Sequence, residues 1–308
     1  MKTRSLRRHS PLITPMDRIS AYLMAAPTII LFLMFCIYPA VHVFVVSFYK
    51  YDGITSMIWK GLENYERVFL DASWWKTVWN TVQMGVCIPM LQIPLALLFA
   101  VILNGKLKGK NFFRTMLFLP SITSTAVMGV IFSFMFSSYN GIVNGFLINS
   151  GMIDRPIEWL GNEWTAKLVI ILFSAWSSVG FYMVLFLSGL QKIPGEVYES
   201  AAVDGANTTQ TFFKITVPML GSMFRTVVML AILNAMKLFD SVKVLTGGGP
   251  GKKTEVMTMY IYRYFFEPTS GKPQRGYASA LSIVGLCVIS IVAFLYMLAS
   301  KKSVEAEQ

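Results

Sequence analysis

Residues that carry catalytic and metal chemistry are scarce in this chain of 308 residues. There are two histidines, His9 and His42, too few and too far apart for a metal site or a catalytic pair. The three cysteines, Cys36, Cys87 and Cys287, all fall inside apolar runs and lack metal-ligand spacing. They read as buried, inert thiols. Charge is scarce as well: 14% of residues are charged and 55% are apolar, against about 25% and roughly 45–50% in a soluble domain. So few charges cannot cover that much apolar surface in water. A cytosolic enzyme, a secreted disulfide scaffold and a disordered tail are therefore excluded, and the chain belongs in a bilayer. The net charge of +11 would suggest a nucleic-acid partner in a soluble protein. Here its cations sit in short loops that hold membrane segments in place, and no nucleic acid is expected.

Six apolar stretches approach the length of about 20 residues that a bilayer requires: 21–48, 78–103, 112–136, 166–190, 219–239 and 277–299. The fifth is the weakest, because Arg225, Asn234 and Lys237 lie within it. The first follows a basic arm like that of a signal peptide, but its run is far longer than a cleaved segment's and is expected to be retained. Short basic loops orient the spans. Lys2, Arg4, Arg7, Arg8 and Arg18 in the arm 1–20, then Lys106, Lys108, Lys110 and Arg114, then Lys301 and Lys302 all mark the cytoplasmic side. The loop 137–165 carries Asp154, Glu158 and Glu163 against Arg155, which suits the outside. The segment 240–276 is basic yet falls outside by alternation. The fold expected is an all-α integral membrane protein of six spans with both termini in the cytoplasm. Pro27, Pro39, Pro89 and Pro94 lie inside spans one and two, where each removes a backbone donor and can kink its helix.

The cytoplasmic loop 191–218 is the most informative segment. Pro194 and Gly195 open a short helix with Glu196 and Glu199 in its early turns, where negative charge is favoured. Asp204-Gly205 stops that helix, with glycine free to adopt the left-handed conformation. Asn207 can cap the next helix, with Gln210 three residues on completing a capping box. The small pair Ala201-Ala202 leaves a face that another protein could approach closely.

Glu199-x-Ala201-Ala202, Asp204-Gly205-Ala206 and Ile215-x-Val217-Pro218 together resemble the EAA loop of permease subunits of bacterial ABC importers. Gly205 and Ile215 have the family's spacing, with Val217 where the family has Leu. Phe118-Leu-Pro-Ser and Val244-Leu-Thr-Gly-Gly-Gly-Pro250 resemble the carbohydrate branch, which handles maltose, other oligosaccharides and glycerol phosphate. The resemblance implies one six-span permease domain over 21–308, paired with a second homologous permease. It also implies two cytoplasmic ATPase subunits, which bind ATP and Mg, and an external solute-binding protein in a bacterial cell membrane. On that footing Glu199, Ala201, Ala202, Asp204, Gly205 and Ala206 form a coupling helix seated in an ATPase groove.

No cofactor is expected in this chain. Thr246-Gly-Gly-Gly-Pro-Gly251-Lys252-Lys253 fails as a phosphate loop, because Thr246 and Lys253 replace the Gly and the Ser or Thr that cradle phosphate and hold magnesium. A substrate path needs polar or aromatic residues at membrane depth. The candidates are Thr123, Ser124 and Thr125, then Ser174, Trp176, Ser177 and Tyr182, then Asn234; ordinary helix-packing hydroxyls would look the same. Lys237 and Asp240 could form an ion pair, and Arg225 reads as a snorkelling cation. A membrane enzyme lacks any His/Asp/Glu cluster in a span. A stand-alone secondary transporter or channel for a small polar solute remains the alternative, although no inverted repeat marks one.

Overall fold

The computed structural model describes residues 15–305 apart from 55–56, 106 and 268–272, with side chains described between 22 and 300. Lys2, Arg4, Arg7, Arg8, Lys106 and Lys272 lie outside the described residues, as do the side chains of Arg18, Lys301 and Lys302.

The described residues are mostly helical, as a bilayer requires of backbone that cannot hydrogen-bond to water. The first span is α1 (Pro15–Phe32), a π-helical turn (Leu33–Ile37) and α2 (Tyr38–Val46). A two-residue hairpin, β1 (Tyr49–Lys50) and β2 (Ile58–Trp59), pairs Tyr49 with Trp59. It leads to α3 (Glu63–Leu70) and the 33-residue α4 (Ala72–Asn104). Then come α5 (Lys110–Ile122), α6 (Thr125–Met135), α7 (Ile142–Asn149) and α8 (Glu163–Leu190). After them follow α9 (Gly195–Val203), α10 (Thr208–Thr211), a second π-helical turn (Phe212–Thr216), α11 (Val217–Met219) and α12 (Gly221–Met236). The chain closes with α13 (Asp240–Leu245), α14 (Met257–Phe266) and α15 (Arg275–Glu305).

Four segments are long and apolar enough to cross a membrane: Tyr22–Val46, Ala72–Asn104, Glu163–Leu190 and Arg275–Ser300. Two bent pairs raise the number to six if each counts as one span. Lys110–Ile122 meets Thr125–Met135 at 97°, and Thr208–Met219 meets Gly221–Met236 at 71°. The stretch at 112–136 is therefore not the straight span its hydropathy suggests. Pro120 sits in the last turn of α5, and Thr123 is extended (φ −83°, ψ 149°), which ends one helix before the next begins. Prolines also explain the π turns, each of which ends two residues before one, Ile37 before Pro39 and Thr216 before Pro218. The proline ring crowds the preceding carbonyls and offers no amide, so the ladder widens. Pro89 and Pro94 leave α4 one continuous helix.

Helices α4 and α8 pack along their length and form the axis of the fold, with α12 against α4. One apolar cluster joins the ends of α4 and α8 to α12 through Ala100, Leu103, Leu187, Leu190 and Leu220. A second surrounds Phe173 and Val242, and a third sets Trp74 of α4 against Tyr260 of α14 and Tyr277 and Leu281 of α15. By contrast, only 6% of the Tyr22–Val46 window is buried. The cysteines correct the sequence expectation: Cys36, Cys87 and Cys287 are exposed. In a bundle that presents apolar residues outward, an apolar run need not mean the protein interior.

Candidate transport path and coupling loop

Between α4, the α5–α6 corner, α8 and α12 lies a cavity of about 620 Å³. Of the residues singled out from sequence, Thr123, Thr125, Ser174, Ser177, Tyr182 and Asn234 line it. Two others do not. Ser124 occupies the N-cap position of α6 beside it. Trp176 stands two residues from Ser174, about 200° around a helix, and packs on Phe132 and Phe173 with ring centroids 5.2 and 6.5 Å away.

Polar groups on different helices meet across the cavity wall. The Asn234 amide of α12 donates to the Tyr182 hydroxyl of α8 at 3.0 Å. The Ser178 hydroxyl reaches both Gln92 Oε1 of α4 at 2.7 Å and the Ser174 carbonyl at 2.6 Å, donating to one at a time. Ser174 Oγ, on a residue 6% exposed, has no hydrogen-bond partner among the described residues. Gln92, Ser121, Ser178 and Ser241 line the cavity too and were not picked out from sequence. Gln92 had a usable signal, an amide in an otherwise apolar span, and Ser121 belongs to the Phe118-Leu-Pro-Ser motif; Ser178 and Ser241 had none. Lys237 and Asp240 also line it, and no ion pair joins them among the described residues. Lys237 ends α12 with non-helical backbone (φ −97°, ψ 12°), so the i, i+3 geometry that would pair the two is absent. The Arg225 carbonyl accepts from Tyr296 of α15 at 2.8 Å.

The loop after α8 has the local structure its residues dictate. Helix α9 closes with a Schellman motif: Ala206 N donates to Ala201 O at 2.9 Å and Gly205 N to Ala202 O at 3.1 Å. Gly205 holds φ +75°, with open space where a side chain would stand. Asn207 and Gln210 form the reciprocal capping box, at 2.9 Å both ways. Thr216 Oγ1 lies 3.4 Å from the Tyr198 hydroxyl, tying α9 to the second π turn. Glu199, Ala202, Asp204 and Gly205 are exposed and Ala206 is partly so. Ala201 departs from expectation. It is 5% exposed, so only Ala202 of the small pair faces outward. The physical reason is the motif itself, which folds the chain back over its third-last helical residue.

The end of the fold where α4 and α15 begin is held by groups that sequence reading missed. Asp71 caps α4, accepting from the amides of Ser73 and Trp74 at 3.0 and 3.2 Å. Its other oxygen accepts from the Tyr260 and Tyr277 hydroxyls, each at 2.7 Å. Burial alone would raise its pKa, but these four hydrogen bonds hold the carboxyl below its ordinary range. Glu255, 1% exposed, sits 2.6 Å from Arg263. Burial pushes its carboxyl up, opposed by the charges of Arg263 and Lys252. The Asn80 amide holds the glycine-rich loop to α4 through the Lys253 and Glu255 carbonyls, both at 3.0 Å. Inside that loop the Gly248 amide bonds Thr246 Oγ1 and the Gly249 amide bonds Thr246 O, while the Lys253 ammonium lies 3.3 Å from Glu163. These contacts tie the glycine-rich loop to itself, to α4 and to the start of α8.

Helices long and apolar enough to cross a membrane, a polar-lined cavity between them and an exposed helical loop are features that a transport permease combines. The chain belongs to the binding-protein-dependent transport system inner membrane component family, whose model matches residues 92–304. Among curated relatives, the arabinooligosaccharides transport system permease protein AraP of Bacillus subtilis is 34% identical, over 89% of this chain and 86% of its own length. The lactose transport system permease protein LacF of Rhizobium radiobacter is 32% identical, over 92% and 95%. The fold matches a chain of a bacterial ABC transporter involved in import of the acidic polysaccharide alginate, with a TM-score of 0.79, 21% identity and coverage of 93% and 96%.

Proposed function

We propose that this chain is the membrane-spanning subunit of an ATP-driven sugar or oligosaccharide importer in the bacterial plasma membrane. It contributes half of the translocation path, crossing six times with both termini in the cytoplasm and each bent pair acting as one span. A second homologous permease completes the path, two cytoplasmic subunits bind and hydrolyse ATP with Mg, and an external binding protein delivers the sugar. Relatives with sugar-transport names support the substrate class, and a structural neighbour was solved in complex with its alginate pentasaccharide-bound periplasmic protein.

The observation that carries the reading is the Asn234–Tyr182 hydrogen bond. Helices α8 and α12 flank the loop 191–218, and this bond joins them again at the cavity. Any displacement of the loop, in which Glu199, Ala202, Asp204 and Gly205 are accessible, changes the relation of two helices that line the path. Sugar hydroxyls would meet Ser174, Ser177, Tyr182 and Asn234 there, with Thr123 at the α5–α6 corner. The test is uptake of labelled sugars into vesicles carrying the complex, with and without the ATPase subunits. ATP-dependent accumulation that vanishes without them supports the reading. Accumulation by this chain alone, driven by an ion gradient, would favour a secondary transporter instead.

A further inference from the structure

The two helices that flank the coupling loop approach closely where α8 leaves room at a glycine. A Cβ on Gly189 of α8 would lie 3.0 Å from Leu220 Cδ2 and 3.1 Å from Met223 Cγ. Leu220 is the corner residue of the 71° bend, standing between α11 and α12. It is 2% exposed and sits in the apolar cluster with Leu187 and Leu190. The backbone leading into that corner is loosened. Phe212–Thr216 is π-helical, Val217 N reaches back to Phe212 O, and Pro218 offers no amide. Leu220 itself is bonded on both sides, its N to Thr216 O at 3.1 Å and its O to Phe224 N at 2.7 Å. A fixed side chain thus stands directly after a π-helical, proline-containing segment whose backbone can absorb a change of angle, as hinges require.

We propose that Leu220, seated in the notch that Gly189 leaves in α8, is the fulcrum on which α12 turns when the coupling loop moves. The inference rests on the reading of that loop as the ATPase contact. Asn234 lies 14 residues beyond Leu220, about 21 Å along a helix, so a tilt of about 10° carries it about 4 Å. That displacement separates the Asn234 amide from the Tyr182 hydroxyl, now 3.0 Å apart, and changes the cavity wall. Leu220 acts through α12 and is a positioning residue; it does not line the cavity.

The test uses the complete complex in vesicles, with Cys36, Cys87 and Cys287 replaced by serine and the reporter pair Tyr182→Cys and Asn234→Cys. Oxidative crosslinking of the pair is compared before and after the ATPase subunits are closed with ATP and vanadate. In this reference complex closure should change crosslinking several-fold. Gly189→Ala should cut that change at least five-fold while assembly and basal ATP hydrolysis persist. Leu220→Val alone should do the same, and it decides the matter if Gly189→Ala does not assemble. The double variant, in which the added methyl meets a shorter side chain, should restore the response, a coupling that independent sites do not show. A full response in both single variants, or a double variant no better than either, overturns the fulcrum and leaves the coupling role of the loop intact. No response in the reference complex overturns the coupling role, and the fulcrum with it.

Discussion

Replacing Gly205 probes the proposed coupling loop at a left-handed position of its backbone. The residue holds φ +75° at the C′ position of the Schellman motif that ends α9. For an L-residue the left-handed conformation costs roughly 1–2 kcal/mol. Nothing within 4 Å would meet an added Cβ, so inside this chain the penalty is backbone strain alone. A nine-residue helix has little stability of its own. A cost near 1.4 kcal/mol lowers the population of the native turn about tenfold, which is enough to misplace Ala202, Asp204 and Glu199 together. Gly205→Asn should lie nearest the parent, because asparagine tolerates this conformation; Gly205→Ala should be intermediate. Gly205→Val should be worst, since its β-branched bulk also presses on whatever covers the loop. The assay is uptake and substrate-stimulated ATP hydrolysis in reconstituted vesicles at matched expression. Normal uptake in the Val variant would make Gly205 an ordinary loop glycine. An Asn variant as poor as Val would show that bulk, not backbone conformation, sets the defect.

Other consequences are as open to measurement. Ser150→Cys should be labelled by a membrane-impermeant maleimide from outside and Lys108→Cys only from inside; labelling of both from one side contradicts six spans. Tyr182→Phe removes the acceptor of the Asn234 amide and should lower uptake several-fold with insertion unchanged, whereas uptake equal to the parent's would leave that bond without a role in transport. Asp71→Asn should lower the detergent-solubilised complex's unfolding free energy by about 1.5–3 kcal/mol at neutral pH, the scale of a hydrogen bond to a charged acceptor. Because Asp71 is held below the ordinary carboxylate value of 3.8, its contribution is present above that value and lost as the pH falls below it. The gap between parent and variant should therefore shrink in acid; a gap that widens there contradicts the network.

What the sequence determined alone is what local physics controls. Runs of about 20 apolar residues demand a bilayer whatever their partners, so the membrane setting and the approximate extents of the helices were legible. The Schellman turn at Gly205 and the capping box at Asn207 and Gln210 close within a few residues, and no distant contact is needed to form them. The tertiary structure decided which side of each helix meets another. Hydropathy could not separate Ser174 from Trp176, two apolar-span residues that turn to opposite faces of α8. It could not see the 97° corner at Thr123, because a bent and a straight apolar segment have the same composition. Ala201 turned inward, Cys87 outward, and Gln92 toward the cavity for the same reason. Asp71 joined tyrosines 189 and 206 positions away, a pairing that exists only once α14 and α15 are packed. Periodicity and capping act within one helix, whereas a path and its coupling are relations between helices, set by where their backbones approach.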